Sequence, residues 1–444
     1  MKIGFKLNYM KIAILGYAEQ GKSAYDYYAQ SDNELTVCDM NPAVALPANV
    51  KRQVGENYLK GLDRFDLLLR TPIIHPRQII TANPEAPDIL AKVSSVTNEF
   101  LKICPTKNII GITGTKGKGT TSTLIAKLLE ASGHRVHLGG NIGTPPFKLL
   151  EAGIRPEDWV VLELANFQLI DVKHSPHIGV CLMVVPEHLN WHRDFDEYVE
   201  AKQQMFRWQS PDDVAVYFAD NENSKKVVSL SPAKKIPYFA PPGAFVSGEN
   251  IVIDNQNIVA VSDIKLLGRH NLQNVCAAVT VCWQVTKDIQ AIRTVLSSFS
   301  GLEHRLELVR TLEGVSYYDD SFGTTPETAI VALEAFTQPK VIVLGGSDKQ
   351  ASYDDLAETV KNSNVRAVVL IGATGPTIKA TLDKHGYHNY VEGGKTMPEI
   401  VNTLRSQVKP GDIALLSTGC ASFGLFKDYK DRGEQFKLAV QSLA

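Results

Sequence analysis

The sequence predicts an α/β protein of three open-sheet units, with parallel strands and helices packed on the sheet faces. Three observations predict it. Short apolar runs alternate with helix-like segments along the chain. A glycine-rich turn, GITGTKGKGTT at 111–121, follows the apolar run that ends at Ile110. Polar residues stand just past several apolar runs, where an open sheet gathers its ligands. At 444 residues the chain exceeds one ordinary domain, which leads to two or three.

The first stretch, 1–104, carries KIAIL, LTVCD, FDLLLR and RQIITA as expected parallel strands. Thr71-Pro72 should stop the third. The second, 105–303, opens on NIIGITG and continues through HRVHLGG, WVVLEL and IGVCLMVV, with VAVYFAD, VSGENIVI and NIVAVS as further β-structure. The third, 304–444, contains VSYYDD, KVIVLGG, RAVVLIG and DIALLST.

Composition excludes several classes. The formal net charge of −2 gives no reason to expect nucleic acid. The cysteines at 38, 104, 181, 276, 282 and 420 show no CxxC spacing and read as reduced core thiols of a cytoplasmic protein. No apolar run is long enough to span a bilayer, and the N-terminus lacks the apolar core of a signal peptide.

Two loops compete for a phosphate. In the central turn, Gly114, Gly117 and Gly119 permit a tight path that exposes backbone N–H groups. Lys118 adds a mobile cation, and Thr120 and Thr121 add hydroxyls at the helix start. The earlier loop, GYAEQGKS at 16–23, satisfies the P-loop pattern formally. LTVCD then ends at Asp39, near where a dinucleotide fold places a ribose-binding acid. By itself the loop reads either as a catalytic P-loop or as a nucleotide-binding turn.

The centre holds a set suited to a metal and an acyl phosphate. Glu163 ends WVVLEL, His188 follows VCLMVVPE, and Lys202 lies in the helix-like DEYVEAKQQMF. Glu163 and His188 could ligate Mg²⁺ or Mn²⁺, with phosphate and water completing the shell. The competing readings are a solvated carboxylate, a structural histidine among His174, His177 and His192, and a surface lysine. No HExxH or close-set zinc pattern occurs.

At this point the chain resembles the Mur ligase family, most of all its glutamate-adding members. GTKGKGTT at 114–121, GGNIGTP at 139–145, ELANFQL at 163–169, PEHLNWH through Lys202, LGRHNLQN at 267–274 and LEHR at 302–305 carry the resemblance. YYDDSFGTTPE, LGGSDK and STGCASFGLF complete the order. The resemblance implies a Rossmann-like N-terminal domain for a uridine nucleotide, a central P-loop ATPase domain and a Rossmann-like C-terminal domain. It also implies amide formation through an acyl phosphate in peptidoglycan precursor synthesis.

The resemblance resolves the competition between loops. Gly16, Ala18, Gly21 and Asp39 become uridine-diphosphate contacts. Gly114, Thr115, Gly117, Lys118, Gly119, Thr120 and Thr121 become the ATP cradle. Gly119 stands where the family usually has serine, which makes Thr120 the magnesium-side hydroxyl. Asn141 is implied to touch substrate and phosphate, and Glu163 and His188 to form the metal pair, with His188 also facing substrate. Lys202 matches a lysine that carries a CO₂-derived carbamate near the metal. Asn271 and Asn274 match adenine-side residues, and Arg305 and Asp320 match groups reaching ATP. Thr324, Lys349, Ser422 and Tyr429 match the amino-acid site. Phe322 departs from the pattern, because D-glutamate ligases commonly place a lysine there. The implied substrates are UDP-N-acetylmuramoyl-L-alanine, glutamate and ATP, handled by a monomer. An L-glutamate-adding or folate-type ligase remains the alternative. A dinucleotide oxidoreductase leaves the second phosphate loop unexplained, and a nonenzymatic nucleotide binder leaves Glu163, His188 and Lys202 unexplained.

Overall fold

A computed structural model describes residues 9–48, 50–141, 143–266, 268, 270–347 and 351–444. Three large sheets carry the chain. The first contains β1 (Lys11–Leu15), β2 (Glu34–Asp39), β3 (Lys51–Val54), β4 (Leu67–Arg70) and β5 (Val93–Ser95), in the order β3-β2-β1-β4-β5. All its pairings are parallel. The order reverses direction beside β1, so the turn after β1 faces the crevice where such sheets bind ligands.

The second sheet contains β6 (Ile109–Thr113), β7 (Val136–Gly140), β8 (Trp159–Glu163), β9 (Ile178–Cys181), β10 (Val214–Phe218) and β11 (Lys234–Tyr238). Its order is β11-β10-β9-β6-β8-β7, again parallel, with β6 central. Every residue of β6 and β9 is buried, as expected for strands covered on both faces. A small antiparallel sheet follows, from β12 (Phe245–Ser247), β13 (Asn250–Ile253) and β14 (Gln256–Ala260).

The third large sheet contains β15 (Glu307–Leu312), β16 (Val315–Asp319), β17 (Lys340–Gly346), β18 (Val365–Gly372), β19 (Tyr390–Glu392) and β20 (Ile413–Leu416). Its order is β15-β16-β20-β17-β18-β19, with β15 antiparallel to its neighbour. Contacts divide the chain into two compact units. One runs to Asp263 and includes His270–Ser297; the other joins Ile264–Arg269 to Ser298–Ala444. The first unit holds both the first and second large sheets.

One expected strand is corrected. RQIITA forms the helix Pro76–Ala82. Its apolar pair Ile79 and Ile80 suggests a strand, but local capping decides. His75 Nδ1 accepts the Arg77 amide, the Gln78 side chain accepts the His75 amide, and Pro76 fits the first helical position. Among the described residues, no helix is long and apolar enough to cross a membrane.

Candidate active site

The turn after β1 is held by the glycines and the acid singled out in the sequence. Gly16 adopts φ +86°, and a Cβ there would stand 2.3 Å from Thr71 Oγ1. A Cβ on Gly21 would stand 1.9 Å from the Gly16 carbonyl oxygen. Ala18 is the N-cap of the helix Glu19–Tyr28. Asp39 ends β2, and its carboxylate accepts the amides of Tyr17 and Asn41, each at 2.8 Å. Lys22 is exposed on the first turn of that helix.

The second glycine loop joins β6 to the helix Lys118–Ala131, placing the helix N-terminus behind it. Gly117 is the left-handed N-cap, φ +87°, and a Cβ there would stand 2.3 Å from Asn274 Oδ1. Asn274 also accepts from the Thr121 hydroxyl and donates to Asn271 Oδ1 at 2.7 Å. The start of the helix His270–Cys282 therefore packs directly on the loop. Lys118 folds back so that Nζ donates to the carbonyls of Gly114 and Thr115, at 3.1 and 3.0 Å. Thr120 is buried in the first turn, beside Gly119.

Lys202 is completely buried, which removes the surface-lysine reading. It lies on the helix Phe195–Arg207 and donates to the Gly114 carbonyl at 3.0 Å. Its Nζ stands 4.4 Å from the Tyr198 ring centre. Burial first, and the Lys118 charge second, pull its ammonium down to about 7. One turn earlier on the same face, Tyr198 Oη pairs with Thr115 Oγ1 at 2.9 Å, and Thr115 Oγ1 also donates to Val185 O. Sequence reading missed Tyr198; its signal was the i, i+4 spacing to Lys202.

Glu163 ends β8 with 2 % of its surface exposed. Asn141 binds it twice, amide to backbone carbonyl at 2.8 Å and Nδ2 to Oε1 at 3.0 Å. Gly140 permits this approach, because a Cβ there would stand 2.2 Å from the Glu163 carbonyl oxygen. His188 adopts φ +58°, and its ring lies 4.7 Å from that of Phe167. Burial, opposed by Glu187 and reinforced by nearby lysines, keeps its imidazole below the ordinary histidine value. The other histidines of the region are engaged: His174 with Asn98, His177 with Asp213, and His192 with Asn166.

These residues fit a hard divalent cation. A buried carboxylate held by an amide, a threonine hydroxyl and a neutral imidazole suit Mg²⁺ or Mn²⁺. Among the described residues, three compact groups of histidines and carboxylates occur, none of them containing Glu163 or His188: His75, His192 and Glu197; Glu303, His304 and Glu434; and His304, Glu307 and Asp319. In the first, Arg77 Nη2 lies 2.8 Å from Glu197 and 3.0 Å from His75, filling the place a cation would take.

The second compact unit carries the remaining expected residues. Asp320 is buried, accepting from Ser417 Oγ at 2.6 Å and from the Leu306 amide at 3.1 Å. Burial raises its carboxyl to about 7. The Arg305 guanidinium lies 5.6 Å from the Phe322 ring centre, and Phe322 meets Tyr429 edge-on at 5.2 Å. Phe322 thus has a packing role. Thr324 lines a cavity of about 270 Å³ with Thr325, Ser347 and Cys420, and Ser422 is buried just past the cavity's Ala421. Lys349 lies outside the described residues. Arg432 escaped sequence reading; it is fully buried and holds Ser321 and the Cys420 carbonyl.

The chain is similar to known proteins over nearly its whole length. A family profile described as Mur ligase middle domain matches residues 112–282, and one described as Mur ligase, glutamate ligase domain matches 304–420. A Clostridium kluyveri protein named UDP-N-acetylmuramoylalanine--D-glutamate ligase is 37 % identical over 449 residues, covering 98 % of this chain and 97 % of that protein. A Symbiobacterium thermophilum protein of the same name is 36 % identical, covering 98 % of each. In fold, the chain is similar to MurF from Acinetobacter baumannii, with TM-score 0.63 and 16 % identity over 97 % of this chain and 91 % of that one.

Proposed function

The chain belongs to the Mur ligase family, and on that premise we propose that it is an ATP-dependent ligase joining D-glutamate to UDP-N-acetylmuramoyl-L-alanine. The observation that carries this reading is the near full-length match to relatives whose names state that reaction. The glycine cradle, Lys118, and the Asn141–Glu163 pair supply the chemistry it needs.

The alanyl carboxylate attacks the γ-phosphorus of ATP, and ADP leaves with the electrons of the broken P–O bond. Lys118 releases the loop carbonyls and moves to the phosphoryl oxygens, offsetting their charge. Backbone amides of Gly117–Thr120 and the helix N-terminus hold the other phosphates. Glutamate's amine then attacks the acyl phosphate carbon and phosphate departs. Asn141 holds Glu163 in place through both steps. Thr120, Glu163 and His188 would hold a magnesium ion, which supplies charge neutralisation at the transferring phosphoryl group. His188 then has no lone pair left to act as the amine's base.

Lys202 fits a carbamate. A completely buried amine with its pKa near 7 is about half unprotonated at neutral pH, and the unprotonated form is the one that adds CO₂. The carbamate is an anion, and it would present carboxylate-like oxygens toward a bound magnesium ion, which would offset its charge. Gly16, Ala18, Gly21 and Asp39 receive the uridine diphosphate. Thr324, Lys349, Ser422 and Tyr429 receive glutamate, and Arg305 and Asp320 reach ATP. We place the enzyme in the cytoplasm, as a monomer.

The deciding experiment supplies ATP, Mg²⁺ and UDP-N-acetylmuramoyl-L-alanine with D- or L-glutamate, following phosphate release and adduct mass. D-glutamate should be ligated. A site that loses one substrate hydrogen bond discriminates by roughly 10⁴. Exclusive use of L-glutamate, or of a diamino acid, overturns the specificity.

A further inference from the structure

Arg70 closes β4 and is completely buried. Its guanidinium forks onto Asp171, with Nε 2.5 Å from Oδ2 and Nη2 2.6 Å from Oδ1. It also donates to the carbonyl of Ile74 at 3.1 Å and to that of Phe167 at 3.0 Å. One side chain therefore grips both the 71–74 loop leaving the first sheet and the 167–171 segment that follows Glu163. These partners lie on opposite sides of a circuit. The Phe167 ring packs on His188 at 4.7 Å and on Trp191 at 4.9 Å, and Trp191 Nε1 returns to the Ile73 carbonyl at 3.2 Å. At its other end, Thr71 donates to the Leu15 carbonyl and stands where a Gly16 Cβ would be, so the loop rests on the nucleotide turn.

A buried ion pair is a weak source of stability, since desolvation offsets the attraction. Its planar fork does restrict geometry, and a lysine cannot reproduce that. We infer that Arg70 and Asp171 are a positioning pair, setting Phe167, and through it His188, relative to the loop beside the nucleotide turn. The catalytic part of the inference rests on the proposed function.

The test compares wild type with Arg70→Lys, Asp171→Asn, Phe167→Leu and the Phe167→Leu/Asp171→Asn double variant. Folding is followed by circular dichroism and melting temperature. Among folded variants, kcat/KM for the UDP-muramoyl substrate should fall about ten- to a hundredfold. KM for ATP should change less than kcat/KM for the UDP-muramoyl substrate, because the circuit reaches the ATP side only through His188. The double variant should lose little beyond Phe167→Leu, since both act by one route. The His188 ring-proton resonance should also move in Arg70→Lys and Asp171→Asn, a readout that needs no turnover. Lower melting temperatures with wild-type kinetics and an unmoved His188 resonance would overturn the pair's role, as would fully multiplicative effects. If Asp171→Asn does not fold, Arg70→Lys decides, because it keeps the buried cation. An inactive wild type refutes the proposed reaction instead, and the resonance then decides the positioning by itself.

Discussion

Lys202 directs a fully buried amine at a carbonyl oxygen. Its folded value near 7 lies below the ordinary 10.5, so the unfolded chain binds more protons between those limits. Stability therefore rises with pH across that window. Urea midpoints in CO₂-free buffer should show the rise in wild type and lose it in Lys202→Met. An equal slope in both proteins refutes the shift. Lys202→Ala should be inactive and partly rescued by short carboxylates. Lys118 gives a second prediction at this scale. Lys118→Ala should lower kcat by roughly 10²–10³, the effect of removing one transition-state donor. Binding of the uridine nucleotide should survive, and Lys22→Ala should leave ATP turnover intact. The opposite pattern would return ATP to the first loop.

Each loop works as an element because its glycines permit contacts that a Cβ would block. Gly140 combines φ +115° with the close approach to Glu163. Gly140→Ala should cost about 1–2 kcal/mol for the left-handed backbone, with overlap adding to it. The urea midpoint should drop, and activity should fall further than stability explains, because Asn141 loses its hold on Glu163. Unchanged turnover in the folded variant would separate that pair from catalysis. The helix Phe195–Arg207 acts similarly, holding Tyr198 and Lys202 against one loop. Tyr198→Phe removes the bond to Thr115 and should raise KM for ATP more than KM for the sugar nucleotide, as initial rates will show.

At the scale of the whole molecule, the two proposed ligand loops lie in one compact unit and should give separable stabilisation. Saturating a site at a hundred times its Kd adds about 2.7 kcal/mol. Thermal shifts with UDP-N-acetylmuramoyl-L-alanine and with Mg·ATP should both be positive in wild type. Lys118→Ala should keep the first and lose most of the second. Loss of both would mean that the lysine supports the fold and not the phosphate.

Much of the fold and part of the site were legible because they are written locally. Apolar β-branched runs mark β6, β8 and β9, with Gly114 closing β6, and a parallel sheet must put Glu163 and the glycine loop at their carboxyl ends. RQIITA misled because strand-like apolar residues were overruled by capping from His75 and Gln78. The sequence by itself determined the α/β class, the two glycine-rich loops and the family's residue pattern. Only the tertiary structure decided that Lys202 is buried under Gly114, that Phe322 packs between Arg305 and Tyr429, and that Arg70 meets Asp171 across 101 positions. The reason is physical. Periodicity fixes which face of an element is apolar, but a polar side chain's partner and solvation depend on residues distant in sequence that only folding brings together.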